Sequence, residues 1–377
     1  MKSMLIITPG YPIEGDPVYP FVKNLCDEFA KKGLAITVLS PQSVTSALLH
    51  HKSLRPIERK EYVEGRTITI YQPYSITPLH KHLRVFNFFI RKSVLRFLKK
   101  KKICADVCYC HFWCSAYWVM PYMKRHNIPV FVASGESQIK TLLSVDKDYS
   151  DFRESVKGVV CVSSKNRDES IGLGYTTYDK CIVLPNAVNN LLFKKQDKEV
   201  CRRQLGIPLD VFVVAFVGWF IERKGPKRVA EAISQVDNVK SIFVGKGDQE
   251  PTCDGILFKG SLPHEQVPQY LGAADCFVLP TLHEGCCNAV VEAMACGLPI
   301  ISSNLAFNWD VLDNSNSIMI DPLNVEKISE AIRTLRDNKP LCESLAEGAI
   351  RKAENLTIEK RAMAIIDFIY SRLNNQQ

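Results

Sequence analysis

The stretch Pro280-Thr-Leu-His-Glu-Gly-Cys-Cys-Asn-Ala-Val-Val-Glu-Ala-Met-Ala-Cys-Gly-Leu-Pro299 reads as a strand end, a loop, a helix and the start of a second strand. Cys276 to Pro280 is a short apolar run closed by proline, the pattern of a buried strand. His283 to Cys287 forms a glycine-containing loop, and Asn288 suits the N-cap of a helix running to Ala295. Gly297 and Pro299 stop that helix before the apolar strand Pro299 to Ser302. Strand, helix and strand in succession predict a parallel sheet. Glu284 then lies on a loop at the carboxyl end of a strand, and Glu292 lies one turn inside the helix.

Two glutamates eight residues apart also fit a solvated face, so spacing alone decides nothing. Position adds the argument, because ligands of open α/β sheets bind outside the carboxyl ends of the strands. The helix N-terminus offers N–H groups and a positive dipole end to an anion. A phosphate there, with a hydroxyl-binding carboxylate on each side, is the chemistry of a nucleotide sugar. Cys286, Cys287 and Cys296 read as small packing residues.

The same alternation extends in both directions. Strands are expected at Met4–Thr8, Ala35–Leu39, Val107–His111, Val130–Ala133, Gly158–Val162 and Cys181–Leu184, with a helix over Phe21–Lys32. The pattern restarts with a strand at Val211–Val217, a helix over Pro226–Gln235, and strands at Ser241–Val244, Ile256–Phe258 and Asp275–Leu279. At 377 residues the chain exceeds one ordinary core. The expected class is α/β: two doubly wound Rossmann-like domains facing across a cleft. The charged interval Pro185 to Pro208 is the linker candidate, dividing a first domain, 1–188, from a second, 189–357. The final helix, within 358–377, is a candidate for packing back on the first domain.

Composition describes a soluble globular protein, 46% hydrophobic and 23% charged. No apolar run reaches the roughly 18 residues of a spanning helix, and the N-terminal run is too short for a signal peptide. Fourteen cysteines without such a signal suggest reduced thiols and a cytoplasmic location. Cys104, Cys108, Cys110, His111 and Cys114 lack the paired spacing of a structural zinc site. Asp146-Lys-Asp148 has the acid-x-acid pattern of metal-dependent sugar transfer, yet lies in a polar stretch that reads as a turn. No metal is assigned.

Further candidates sit on loops after strands. Gly10 and Gly15 belong to a proline-rich loop after the first strand and allow close approach of backbone to a ligand. That loop lacks the Gly-x-Gly-x-x-Gly fingerprint of dinucleotide binding, which counts against an oxidoreductase. Gly218 opens the segment carrying Arg223 and Lys224, cations able to neutralise a departing diphosphate. Gly245 opens a third glycine loop. His111 admits two readings, a contact to the acceptor or transferred sugar and a satisfied structural histidine. Glu136, on Ser134-Gly-Glu-Ser137, is placed as an acceptor-side contact.

Together these residues resemble the family-four retaining glycosyltransferases of the GT-B fold, over nearly the whole chain and most strongly from Val211 to Ser303. The signature is Glu284-x7-Glu292 continuing to Pro299. Support comes from Val183-Leu-Pro-Asn-Ala-Val188, Phe193, Lys224-Gly225 and Val244-Gly-Lys-Gly247. The resemblance implies sugar transfer from a nucleotide-diphosphate sugar with retained configuration, with no cofactor and no essential metal. It implies that Glu284 contacts the donor sugar and Glu292 the ribose. The amides of Cys287, Asn288 and Ala289 would meet sugar and phosphates, and Lys224 would steady the diphosphate. The glycine loop with Gly10 and Gly15 would lie near phosphates or acceptor, and His111 near the transferred sugar. Departures are Trp219 where many relatives carry arginine, Asn186-Ala187 for asparagine-glycine, and Ser134-Gly135 for histidine-glycine. A non-catalytic sugar-nucleotide binding protein and a GT-B epimerase or phosphorylase are the alternatives.

Lys81 to Lys102 carries nine Lys/Arg and no acid, against a formal net charge of +8 for the chain. Leu83, Phe86, Ile90, Val94, Phe97 and Leu98 recur within it at helical spacing. Such a helix either lies on an anionic membrane or buries its stripe in the first domain. Nucleic acid is not an expected partner, because no binding module accompanies the charge. The expected acceptor is a saccharide or a lipid-linked sugar of surface polysaccharide or glycolipid assembly, made at the cytoplasmic membrane face.

Overall fold

Alternating residues of the first strand point to two different cores, which fixes a sheet covered on both faces. In Ser3–Ile7 (β1), Leu5 and Ile7 join one apolar cluster while Met4 and Ile6 join another. The computed structural model describes residues 1–13, 18–49, 51–78, 83–139 and 150–374. The chain divides into two units, Met1–Leu184 with Ile358–Gln377, and Pro185–Thr357.

The first unit runs β1, Pro20–Lys31 (α1), Ala35–Leu39 (β2), Gln42–Ser43 (β3), Val44–Leu49 (α2), Glu58–Val63 (β4), Arg66–Tyr71 (β5), Tyr74–Ser75 (β6) and Leu83–Lys101 (α3). Then come Val107–His111 (β7), Trp113–Arg125 (α4), Val130–Ser134 (β8), Ser150–Ser155 (α5), Val156–Cys161 (β9), Ser164–Gly172 (α6) and Cys181–Val183 (β10). The main sheet has the order β10-β9-β8-β7-β1-β2-β5-β4. Every pair is parallel except β4 with β5. Strand order reverses between β1 and β7, so the loops after these two strands diverge and open a crevice.

The β4–β5 hairpin lies outside the expected strand list. Its turn residues, Glu64 and Gly65, both have positive φ, 47° and 76°, the conformation that matches a two-residue turn to strand twist. The stripe of α3 that enters the core is Asn87, Ile90, Val94 and Leu98, all at most 3% exposed. Ile90, Val94 and Leu98 of the periodic set are therefore spent inside the unit, with Phe86 and Phe97 half-buried against the same core, whereas Val85, Phe88 and Phe89 remain exposed.

The second unit runs Lys198–Leu205 (α7), Phe212–Val217 (β11), Pro226–Ile233 (α8), Val239–Val244 (β12), Ile256–Gly260 (β13), Val267–Gly272 (α9) and Cys276–Leu279 (β14). It continues with Asn288–Ala295 (α10), Ile300–Ser303 (β15), Ser317–Ile320 (β16), Val325–Asp337 (α11) and Lys339–Ala353 (α12). Its sheet, β13-β12-β11-β14-β15-β16, is parallel throughout and reverses order between β11 and β14. The last helix, Ile358–Asn374 (α13), belongs to the first unit, where Ala362, Ile365 and Ile369 are buried beside α1 and β9.

Three expectations are corrected. The unit boundary falls between Leu184 and Pro185 rather than after residue 188, because the Val188 N–H donates to Leu356 O and Val188 bridges Thr357. The interval read as an irregular linker contains α7, capped by the Asp197 side chain and closed by Gly206 at φ 68°. Asn288 is the first helical residue of α10 rather than its N-cap, a place taken by Cys287. Its side-chain oxygen is occupied by the Asn186 amide at 2.7 Å.

Candidate functional site

The reversal point of the second unit brings the loop after β11 against the loop after β14. The Leu282 N–H donates to Arg223 O at 2.9 Å, tying the two together. Glu284 Oε1 accepts from Lys224 Nζ at 2.7 Å, from Thr281 Oγ1 at 3.1 Å and from the Arg223 guanidinium. That guanidinium also donates to His283 O at 2.6 Å. Lys224 is 8% exposed, and its ammonium lies 3.7 Å from Cys287 Sγ at the head of α10. Burial works against charge on both members of the pair. Even so, Lys224 and Arg223 hold the Glu284 carboxyl below its usual range, and Glu284 with the Cys287 sulfur holds the Lys224 ammonium above its own. Two cations against one carboxylate leave this edge positive, next to a helix N-terminus that no side chain caps. Such an edge attracts an anion.

Gly218 and Gly245 allow the loops after β11 and β12 to close together. A Cβ on Gly245, at φ 158°, would meet Gly218 O at 1.9 Å. The Gly218 N–H donates to Val244 O at 2.9 Å, and the Phe220 N–H to Lys246 O at 2.8 Å. Trp219 is exposed there, with Lys246 Nζ 5.7 Å from its ring centre. Asn186 was quoted in the sequence only as part of a motif. Its amide donates to Cys286 O at 2.9 Å as well as to Asn288, so it orients the Cys287–Ala289 turn. Glu292 sits one turn along α10, and its Oε1 lies 2.9 Å from His264 Nε2. His264 carries no signal of this pairing in the sequence beyond its glycine-containing turn.

The first unit presents a different edge. A cavity of about 610 Å³ opens at its reversal point, lined among others by Gly10, Ser40, Gln42, Gln72, Trp118 and Glu136. Gly10 packs where a Cβ would lie 2.5 Å from the Tyr19 ring. Gly15 lies outside the described residues, as does Asp146-Lys-Asp148. Glu136 Oε1 accepts from the Trp113 N–H at 2.7 Å, and Oε2 from the Gly135 N–H at 3.0 Å and Ser134 Oγ at 3.2 Å. Burial raises its pKa to about 7 despite these donors. His111 lies outside the cavity lining, edge-on to Phe21 and Tyr109. Its Nε2 has no partner among the described residues, and burial lowers its pKa to about 3, so the ring is neutral. No group of three or more His, Cys, Asp or Glu among the described residues is arranged to hold a metal ion.

Comparison with known proteins agrees with this architecture. Residues 197–352 match the family of glycosyl transferases group 1. Over 345 residues the chain is 29% identical to the putative teichuronic acid biosynthesis glycosyltransferase TuaC of Bacillus subtilis, covering 88% of each protein. Sucrose-phosphate synthase from Thermosynechococcus elongatus superposes with a TM-score of 0.79 at 17% identity, over the full length of both chains. Anabaena HepE, solved in complex with UDP, gives 0.73 at 15% identity, over 98% of this chain and 100% of HepE. The chain has the GT-B fold, and within it residues 197–352 are similar to the glycosyl transferases of group 1.

Proposed function

We propose that the protein transfers a sugar from a nucleotide-diphosphate sugar, with retention of configuration and without a metal, to a saccharide or lipid-linked acceptor of surface polysaccharide or glycolipid synthesis. The observation that carries this reading is the Arg223–Lys224–Glu284 cluster beside the head of α10, with Glu292 one turn further on. Lys224 and the dipole of α10 would receive the charge that develops on the departing diphosphate, the work a metal ion does elsewhere. Glu284 would position the donor sugar, the Cys287–Ala289 turn its phosphates, and Glu292 the ribose. HepE was solved in complex with UDP, and TuaC is named for teichuronic acid biosynthesis; both support this choice of donor and pathway class.

On the acceptor side we assign the cavity with Glu136, where polar and aromatic residues such as Gln42, Gln72 and Trp118, with Lys52 and Arg55, offer hydrogen-bonding groups to a saccharide. No helix among the described residues is long and apolar enough to cross a membrane. Association with an anionic surface would rest on exposed Val85, Phe88 and Phe89 beside the lysines and arginines of α3.

The test is a thermal-shift panel of UDP-, GDP- and ADP-sugars on the wild type and Glu292→Ala. A true donor at about 100 times its Kd adds ~2.7 kcal/mol of stability. One donor should stabilise the wild type, and Glu292→Ala should lose most of that shift. No shift with any donor would sink the reading, and equal shifts in both proteins would remove the ribose assignment.

A further inference from the structure

We infer that His264 is a positioning residue for the donor: by engaging Oε1 of Glu292 it fixes the carboxylate so that Oε2 is presented to the ribose hydroxyls. The inference rests on the proposed assignment of Glu292 to the ribose.

The geometry is specific. His264 stands on the turn after β13, reached through Gly260-Ser-Leu-Pro263, and its Nε2 lies 2.9 Å from Glu292 Oε1. Its ring centre lies 5.0 Å from that of Phe193, which is buried at 1% exposure and so forms a fixed wall. The imidazole is therefore held by an apolar ring on one side and a carboxylate on the other. The His264 side chain is 42% exposed, against 15% for Glu292, so the anchoring residue faces solvent and the anchored one faces inward. Oε2 of Glu292 makes no hydrogen bond to the described residues. A glutamate on an otherwise apolar stretch of helix has three side-chain torsions to fix, and a second anchoring point removes that freedom before the ligand arrives.

The charged groups around His264 are Glu292 from α10 and Glu265 on its own turn; Lys194 follows Phe193 in the chain. The hydrogen bond to Glu292 and the two negative charges keep the imidazole protonated further up the pH scale than an ordinary histidine, although burial opposes them. A protonated ring gives a charge-assisted bond, and a neutral one an ordinary bond. Anchoring is therefore strongest below the His264 titration and weakens as pH rises through it.

The experiment uses the full chain and whichever of UDP, GDP and ADP gives the largest thermal shift, together with its 2′,3′-dideoxy counterpart. In the wild type the ribose form should bind about tenfold tighter than the dideoxy form. His264→Ala should shrink that ratio to about twofold by weakening the ribose form alone. Donor KM should rise about fivefold with kcat nearly unchanged. His264→Gln keeps an N–H donor, so it should restore affinity to within about threefold and abolish the pH dependence seen in the wild type. A wild-type ratio in His264→Ala overturns the inference, and so does an equal loss for both nucleotides, the mark of a merely structural role. Glu292→Ala separates the two claims. If it erases the ratio while His264→Ala does not, only the role of His264 fails; if it leaves the ratio intact, the ribose assignment fails and this inference with it. Absence of binding by all three nucleotides overturns both.

Discussion

The reversal points of the two sheets share a topology and differ in electrostatics. In the second unit the edge keeps its charges: Lys224 and Arg223 hold Glu284 ionised, and the cluster remains positive. In the first unit burial suppresses charge at two groups: it holds Glu136 protonated up to about pH 7 and keeps His111 neutral. The same parallel-sheet scaffold thus supplies one edge with two cations clustered on an ionised carboxylate and one with a buried carboxyl held largely neutral. What separates them is burial against paired charge. Glu136 meets only neutral donors, from Trp113, Gly135 and Ser134, whereas Glu284 meets two cations.

The largest effect should come from removing the charge of the second edge. Lys224→Ala should lower kcat by about 100- to 1000-fold in a donor-turnover assay, the usual loss when an electrostatic stabiliser of the transition state is deleted. A loss under tenfold would mean that the cation of this edge lies elsewhere, with Arg223 or Lys246 as the nearest candidates.

The next largest tests the suppressed charge of the first edge. The pKa of Glu136 is raised from 4.5 to about 7, so its stabilising contribution is complete below 4.5 and is lost as pH rises through about 7. The swing is on the order of 3 kcal/mol. Chemical denaturation of the wild type between pH 4 and 8 should show this fall, and Glu136→Gln should be flatter over the same range. Identical slopes would show that the first edge carries an ordinary carboxylate, and the contrast between edges would collapse.

The smallest effect concerns the surface around that edge. Phe88→Ser with Phe89→Ser should leave the melting temperature nearly unchanged, since both rings are more than a third exposed. It should lower flotation with anionic liposomes by about tenfold at low salt. No flotation of the wild type would confine the proposed acceptor to solution.

Much of this was legible in the sequence because it is written locally. Apolar runs such as Phe212–Val217 and Cys276–Leu279 announce buried parallel strands, and the glycine loops after them follow. The β4–β5 hairpin was not legible, because Glu-Arg-Lys-Glu-Tyr-Val has a polar, half-exposed pattern; Glu64-Gly65 was its one signal. Helix α7 was masked by its charge, although Asp197 and Gly206 marked its ends. In the candidate site, Glu284, Lys224 and Glu292 follow from motif and position. Their partners do not, since His264 and Asn186 reach α10 from 28 and 102 positions away. Glu136 was picked out by its place after a strand. Its bond to the head of α4 depends on how neighbouring strands align, which no local pattern records.

The return of α13 to the first unit has a consequence for the order of events on the ribosome. The second unit is one unbroken segment, complete once Thr357 has emerged. The first has all its described strands by Val183 but lacks Ala362, Ile365 and Ile369, each wholly buried in its core. Translation therefore releases the second unit as a finished body while the first unit still has an open flank. The closing wall arrives only with α13, after the second unit, where the Tyr370 hydroxyl meets the carbonyl of Met1 at 2.9 Å.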